Sequence, residues 1–296
     1  MAGCSRSISA RHGGRRGQSL DAARPPSVNS RPLHRIGGSE LHEFLLVTTG
    51  IVVGFLGTLF GLGGGFALVP VLLWFHDFKV ARAVGTSHFV IALNAFSGAL
   101  AYDRQRKIDY RLALILGGAA IPFVLLSTLL VMKLESPWFS VAFSIILGTM
   151  AIYVVKRNEI LATERLEPPS SAIRWALAAS IASAFVASLL GIGGGAFHVP
   201  ILILILGIPI HRATATSQFV LFLTSMAAAT SLMLQGRCDL FYAAWLGIGV
   251  LVGAQVGARV APLVKARALK VGFAIVVLGT SAAMMWDGIR KFLGKG

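Results

Sequence analysis

Gly61-Leu62-Gly63-Gly64-Gly65, followed by Phe66-Ala67-Leu68-Val69-Pro70, lies inside an apolar run from Phe44 to Phe75. A second stretch, Gly191-Ile192-Gly193-Gly194-Gly195 with Ala196-Phe197-His198-Val199-Pro200, lies inside the run from Ile173 to Leu206. Glycine weakens a helix and proline withholds an amide hydrogen, so both runs are expected to break in the middle. Unwound backbone at membrane depth is tolerated only where protein buries it or where it lines a wet cavity. Paired breaks at corresponding places in two halves of a chain are the sequence mark of a transporter's binding site.

The rest of the chain supports a membrane setting. Hydrophobic residues make up 55% of it and charged residues 13%, with a mean hydropathy of +0.76, and several apolar runs are long enough to span a bilayer. The net charge of +15 does not indicate nucleic acid. Its Lys and Arg fall in the N-terminal tail and in loops between apolar runs, as topology signals do, without basic helices or interleaved aromatics. Cys4 and Cys238 are too few and too far apart for a disulfide framework or a metal site.

The apolar segments predict helices at 44–60, 66–75, 86–102, 112–132 and 137–155, then 173–190, 196–206, 216–234, 241–260 and 268–288. Counting each broken run once gives about eight hydrophobic segments, four to a half. Residues 1–42 read as a disordered basic tail, because Arg6, Arg11, Arg15, Arg16, Arg24, Arg31 and Arg35 are mixed with Gly, Ser and Pro and few apolar residues. Its acid-poor composition is transit-peptide-like, and Arg15-Arg16 is the pair of a twin-arginine signal, but no short apolar region with a cleavage site follows. Residues 156–172, with Pro168-Pro169, read as a polar linker between a first repeat at 43–155 and a second at 173–290.

The repeat is ungapped. At a constant offset of 130, Phe55 matches Phe185, Gly61 Gly191, Pro70 Pro200, Arg82-Ala83 Arg212-Ala213, Thr86-Ser87 Thr216-Ser217, Phe89-Val90 Phe219-Val220 and Asp109 Asp239. Agreement at polar as well as apolar positions over more than fifty residues points to internal duplication.

The paired glycine breaks with their Val-Pro, followed by Arg-Ala-x-x-Thr-Ser, resemble the TauE/SafE family of sulfite and sulfonate exporters over roughly residues 44–290. The resemblance implies an all-α, multi-spanning permease of two four-segment repeats, moving small anions such as sulfite or organosulfonates. His198 stands where the first copy has Leu68, so the two motifs are not equivalent.

Physically, unwinding at 61–65 and 191–195 points the N-termini of the resumed helices toward the breaks. A helix N-terminus carries about half a positive charge and unpaired amides, which suits an anion. The predicted cradle comprises Gly63, Gly64, Gly65, Gly193, Gly194 and Gly195, with hydroxyls from Thr86, Ser87, Thr216 and Ser217 where these meet the breaks. The competing reading is that the glycines only permit close helix packing and the hydroxyls bond their own helices.

His88 and His198 are the main ionisable residues in the apolar runs. Each is either a proton carrier or a neutral histidine bonding a neighbouring helix. Asn94, Gln218 and Gln255 either line a path or bridge helices. Arg82 and Arg212, read as loop residues, either attract an anion at the mouth or set topology. Arg104, Arg106, Lys107 and Arg111 place the 103–111 loop in the cytoplasm, and Arg259, Lys265, Arg267 and Lys270 place the 261–270 loop there too. Both assignments hold if each broken run is a re-entrant hairpin, leaving three crossings per half and inverting the second. If each run crosses once, the halves are parallel and one loop is misplaced. Inverted repeats are preferred.

No catalytic or nucleotide-binding constellation is evident, since the glycine runs lack the Lys-Ser/Thr of a phosphate loop. The expectation is therefore a permease without cofactor or metal, working on a small anion in a lipid bilayer. Coupling to an ion gradient is expected, a proton in preference to sodium. A passive channel and a membrane enzyme or assembly factor are the rivals.

Overall fold

A computed structural model describes residues 36–131, 136–156 and 170–293. The described residues form ten α-helices: α1 Ile36–Phe60, α2 Gly65–Phe75, α3 Val80–Arg104, α4 Tyr110–Leu130, α5 Ser136–Lys156, α6 Ser170–Leu189, α7 Gly195–Leu204, α8 Ile210–Leu234, α9 Leu240–Val260 and α10 Ala266–Leu293. No strand occurs among them. Seven helices are long and apolar enough to cross a bilayer, and α5 adds the shorter apolar stretch Pro137–Ile152. The protein is an all-helical, multi-pass membrane protein.

The helix starts keep the sequence offset. The pairs α2/α7, α3/α8, α4/α9 and α5/α10 begin at 65/195, 80/210, 110/240 and 136/266, a difference of 130 each time. The matched aspartates explain one such pair. Asp109 Oδ1 accepts from the Leu112 amide at 3.0 Å and Asp239 Oδ1 from the Phe241 amide at 3.1 Å, capping α4 and α9.

Several boundaries differ from those expected. Helices α3 and α8 start six residues earlier, after extended residues at Lys79 and Pro209, because nothing in the alanine-rich sequence that follows stops a helix. Arg82 and Arg212 are thus in first turns and not in loops. Helix α1 begins at Ile36 because Ser39 to Glu43 is compatible with a helical turn ahead of the apolar run. The tail up to residue 35 and linker residues 157–169 lie outside the described residues.

Close contacts fix the helix directions. Gly85 of α3 packs on Leu232 of α8 and Gly98 on Gln218, so these two helices run in opposite directions. Ser97 of α3 and Gln105, which caps its C-terminus, donate to the carbonyls of Leu251 and Ala258, so α9 runs with α3. Gly50 of α1 packs on Leu246 and Gly249, and Gly257 on Phe55 and Leu59, so α1 runs with α9. Helix α2 runs back along α3: Gly65 lies against Ile91, while Val69 and Val84 both lie against Gly191. The chain therefore descends α1, turns at the first break and returns along α2. The loops 103–111 and 261–270, which follow the parallel helices α3 and α9, share one end of the bundle.

Small residues bring α1 and α9 together. A Cβ at Gly249 would stand 2.2 Å from Val47 O, and one at Gly253 equally close to Ile51 O, so only glycine permits this backbone approach. These glycines serve packing; those of the breaks do something different.

Candidate functional site

The two breaks meet inside the bundle. Gly61, Gly63 and Gly64 have φ of 74°, 74° and 90°, and Gly191 and Gly193 have φ of 72° and 70°, a left-handed backbone that residues with a Cβ avoid. After each break the chain restarts alike. The Ala67 and Leu68 amides return to Gly64 O, and the Phe197 and His198 amides to Gly194 O, at 3.1 Å each. Among the described residues, the amides of Gly65 and Phe66, at the start of α2, make no backbone hydrogen bond, as the first amides of a helix ordinarily do not.

Contacts between the halves are reciprocal. A Cβ at Gly61 would strike Val199, Thr214 and Ser217, and one at Gly191 would strike Val69 and Val84, their counterparts at the offset of 130. Gly65 is pressed against the carbonyls of Gly191 and Ile192. Gly63 and Gly193 both face the same two side chains, Ile91 and Leu221. The N-termini of α2 and α7 thus converge at mid-length of α3 and α8.

The hydroxyls divide. Ser87 Oγ donates to Gly191 O at 2.8 Å. Ser217 Oγ lies 3.3 Å from Gly61 O but only 2.9 Å from Thr214 O in its own helix. Both serines therefore reach the breaks. Thr86 and Thr216 do not: their hydroxyl oxygens accept the amides of Asp239 at 3.0 Å and Asp109 at 3.1 Å, tying α3 to the start of α9 and α8 to the start of α4. The threonines are joints between halves, away from the cradle expected of them.

His88 and Gln218, matched in position, each reach across to the end of the opposite broken helix. His88 Nε2 donates to Ser188 O at 2.9 Å, and Gln218 Nε2 donates to Gly57 O at 3.2 Å. Among the described residues, His88 Nδ1 and Gln218 Oε1 have no hydrogen-bond partner. His198 is held at both nitrogens: Nδ1–H donates to Gly194 O at 2.6 Å, and Nε2 accepts from the Ser180 hydroxyl at 2.8 Å. Its ring covers Gly194, where an added Cβ would stand 2.5 Å from His198 Cε1. Asn94 Oδ1 accepts from Thr58 Oγ1 at 3.2 Å, and Nδ2 has no partner among the described residues. Gln255 bridges α9 to Ser97 of α3.

The family model described as "Sulfite exporter TauE/SafE" matches residues 46–284, which include both breaks. The chain belongs to the TauE/SafE family. It is 29% identical over 267 residues to the probable membrane transporter protein YunE of Bacillus subtilis, covering 83% of this chain and 98% of that one. It is 32% identical over 193 residues to the probable membrane transporter protein MJ0441 of Methanocaldococcus jannaschii, covering 63% of this chain and 71% of that one. No solved structure matches it. This TauE/SafE member is therefore a membrane transporter, with its two glycine breaks packed on each other between α3 and α8.

Sequence reasoning missed Thr58, Ser180, Ser188, Ile91 and Leu221. Thr58 and Ser188 were findable, since they match at the offset of 130 and both stand just before a break. Ile91 and Leu221 also match, but nothing chemical distinguishes them from other aliphatic residues in the spans.

Proposed function

We propose that the protein is a permease for a small anion, with sulfur oxyanions such as sulfite or a small sulfonate as the substrate class. The observation that carries this reading is the convergence of the two helix N-termini, from breaks that share Ile91 and Leu221. Two such ends offer partial positive charge and unpaired amides without a permanent cation, whose burial in the membrane is costly. On this reading Gly63, Gly64 and Gly65 with Gly193, Gly194 and Gly195 form the cradle. Ser87 and Ser217 hold its walls, and the anion exchanges for their present carbonyl contacts.

The proposed direction is export, and the proposed orientation is the one that the charges favour. The shared end bearing Arg104, Arg106, Lys107, Lys265 and Arg267 is assigned to the cytoplasm. Opposed halves permit alternating access by rocking about the breaks. Coupling is assigned to a proton on His88, whose Nδ1 can take it without giving up an existing hydrogen bond. His198, bound at both nitrogens, is assigned to holding the second break in shape.

The test is uptake of radiolabelled sulfite, sulfate and a small alkyl sulfonate into liposomes holding the purified protein, with and without an imposed pH gradient. Saturable, gradient-dependent flux of one anion is expected. Flux that neither saturates nor responds to the gradient points to a channel, and absence of flux for all three anions removes this substrate class.

A further inference from the structure

Ile91 and Leu221 occupy matched positions and are fully buried. A Cβ at Gly63 would lie 2.2 Å from Leu221 Cδ2 and 3.0 Å from Ile91 Cγ2, and one at Gly193 would lie 2.6 Å from Leu221 Cδ1 and 3.1 Å from Ile91 Cγ2. The same aliphatic pair therefore fills the hollow of both breaks.

The residues flanking this pair are polar and short of partners. On α3, His88, Ile91 and Asn94 recur at intervals of three residues; on α8, Gln218, Leu221 and Ser225 recur at three and four, so each trio shares one helix face. His88 Nδ1, Asn94 Nδ2, Gln218 Oε1 and Ser225 Oγ are all buried without a hydrogen-bond partner among the described residues. Buried polar groups are nearly always satisfied, and leaving one unmade costs about 1–3 kcal/mol. Four such groups, two on each of two facing helices and bracketing one aliphatic pair, are explained by a passage whose usual occupant supplies the missing partners.

We infer that these two faces form the translocation path, and that Ile91 and Leu221 are its constriction, an aliphatic plug that bars ions and sets the width admitted between the breaks. The inference rests on the permease reading above. A dry apolar neck excludes a hydrated ion by denying it solvation. It opens when the halves rock and carry the two side chains apart, and the polar groups on either side meet the substrate as it leaves the neck. The pair also sets specificity, because the largest group that passes is limited by the side chains it must displace.

The test compares the intact protein with Ile91→Ala, Leu221→Ala and the double variant in liposomes. Two readouts are taken: chloride leak without any substrate or gradient, and uptake of sulfite against the bulkier benzenesulfonate. The intact protein is expected to be tight to chloride. The double variant is expected to raise chloride leak at least tenfold and to admit benzenesulfonate, with the single variants between. A folded double variant as tight and as selective as the intact protein overturns the plug. If the double variant does not fold, Ile91→Val and Leu221→Val decide in its place: each is expected to give a measurable rise in leak, and tight Val variants also overturn the proposal. Chloride leak does not depend on the substrate. Loss of the tested flux in the intact protein therefore strikes the permease reading, while an unchanged leak in the variants strikes the plug.

Discussion

The two glycine breaks share a sequence pattern and a place in the fold, yet they are not built alike. In the first, Gly64 is left-handed with a φ of 90° and is packed on Val53; in the second, Gly194 has a φ of −58° and lies under the His198 ring. The first has aliphatic Leu68 where the second has His198, clamped between Gly194 O and Ser180. The two breaks use one backbone device, fixed in the first by backbone geometry and in the second by a side chain. The two copies are therefore expected to fail differently.

The largest effect tests that difference directly. Gly64→Ala puts a side chain in the left-handed region, at roughly 1–2 kcal/mol, and also 2.6 Å from Val53 Cγ1. Gly194→Ala keeps an ordinary φ and needs only the His198 ring to move. Gly64→Ala is expected to abolish anion flux and lower the melting temperature measured in detergent, whereas Gly194→Ala retains the fold with reduced flux. Equal losses in both variants break the comparison.

The next pair of variants makes the halves more alike. His198→Leu copies Leu68 and removes two buried hydrogen bonds, each worth about 1 kcal/mol. It is expected to reduce flux roughly tenfold, about 1.4 kcal/mol in the barrier, with the pH dependence of the rate unchanged. His88→Gln copies Gln218 and can still donate to Ser188 O. It is expected to keep the fold and most of the flux at neutral pH, but to flatten the response to an imposed pH gradient. Initial rates across a pH series separate the two. If His198→Leu is the variant that loses pH dependence, the roles of clamp and proton carrier are reversed.

These assignments show where sequence was informative and where it was not. The glycines act through backbone geometry, which follows from residue type alone, so both breaks were legible from a single chain, whereas Pro70 and Pro200, expected to help break the runs, lie inside α2 and α7. The partners of the hydroxyls were not. Thr86 and Ser87 are neighbours in sequence, yet a step along the helix points Ser87 at Gly191 O and Thr86 at the Asp239 amide. Only the packing of the opposed halves decides this. Ile91 and Leu221 were invisible for another reason: a residue that acts by its volume looks like any other aliphatic residue until its neighbours are known.

Smaller effects belong to the ends of the bundle, where the halves also diverge. Arg82 pairs with Asp239 and lies over the Phe78 ring, 5.1 Å from its centroid. The matched Arg212 is exposed, and among the described residues it makes no ion pair with Asp109. Exposed ion pairs contribute about 0–1 kcal/mol. Arg82→Gln is therefore expected to lower the melting temperature slightly and Arg212→Gln not at all, in parallel melts at low and high salt. Salt should shrink the Arg82 effect. An Arg212 effect as large as that of Arg82 removes this asymmetry.

The smallest effect concerns acid. At the Arg82 end, His76 packs against His42 of α1, with ring centroids 5.3 Å apart, and against Tyr242 of α9, with centroids 4.7 Å apart. The matched positions at the other end hold Leu206, Ala172 and Leu112. Burial, and then the neighbouring His42, push the His76 pKa below its ordinary value, with Asp77 opposing them. The unfolded chain therefore binds a proton at His76 more readily than the folded one, so stability rises with pH through the range just below the ordinary histidine value and falls on acidification. Between about pH 8 and about pH 5.5, which brackets that value, the intact protein is expected to lose more melting temperature than His76→Leu. The difference between the two curves reads His76 together with its interaction with His42. Curves that stay parallel show that His76 protonates as easily in the fold as out of it, and that the two ends of the bundle do not differ in their response to acid.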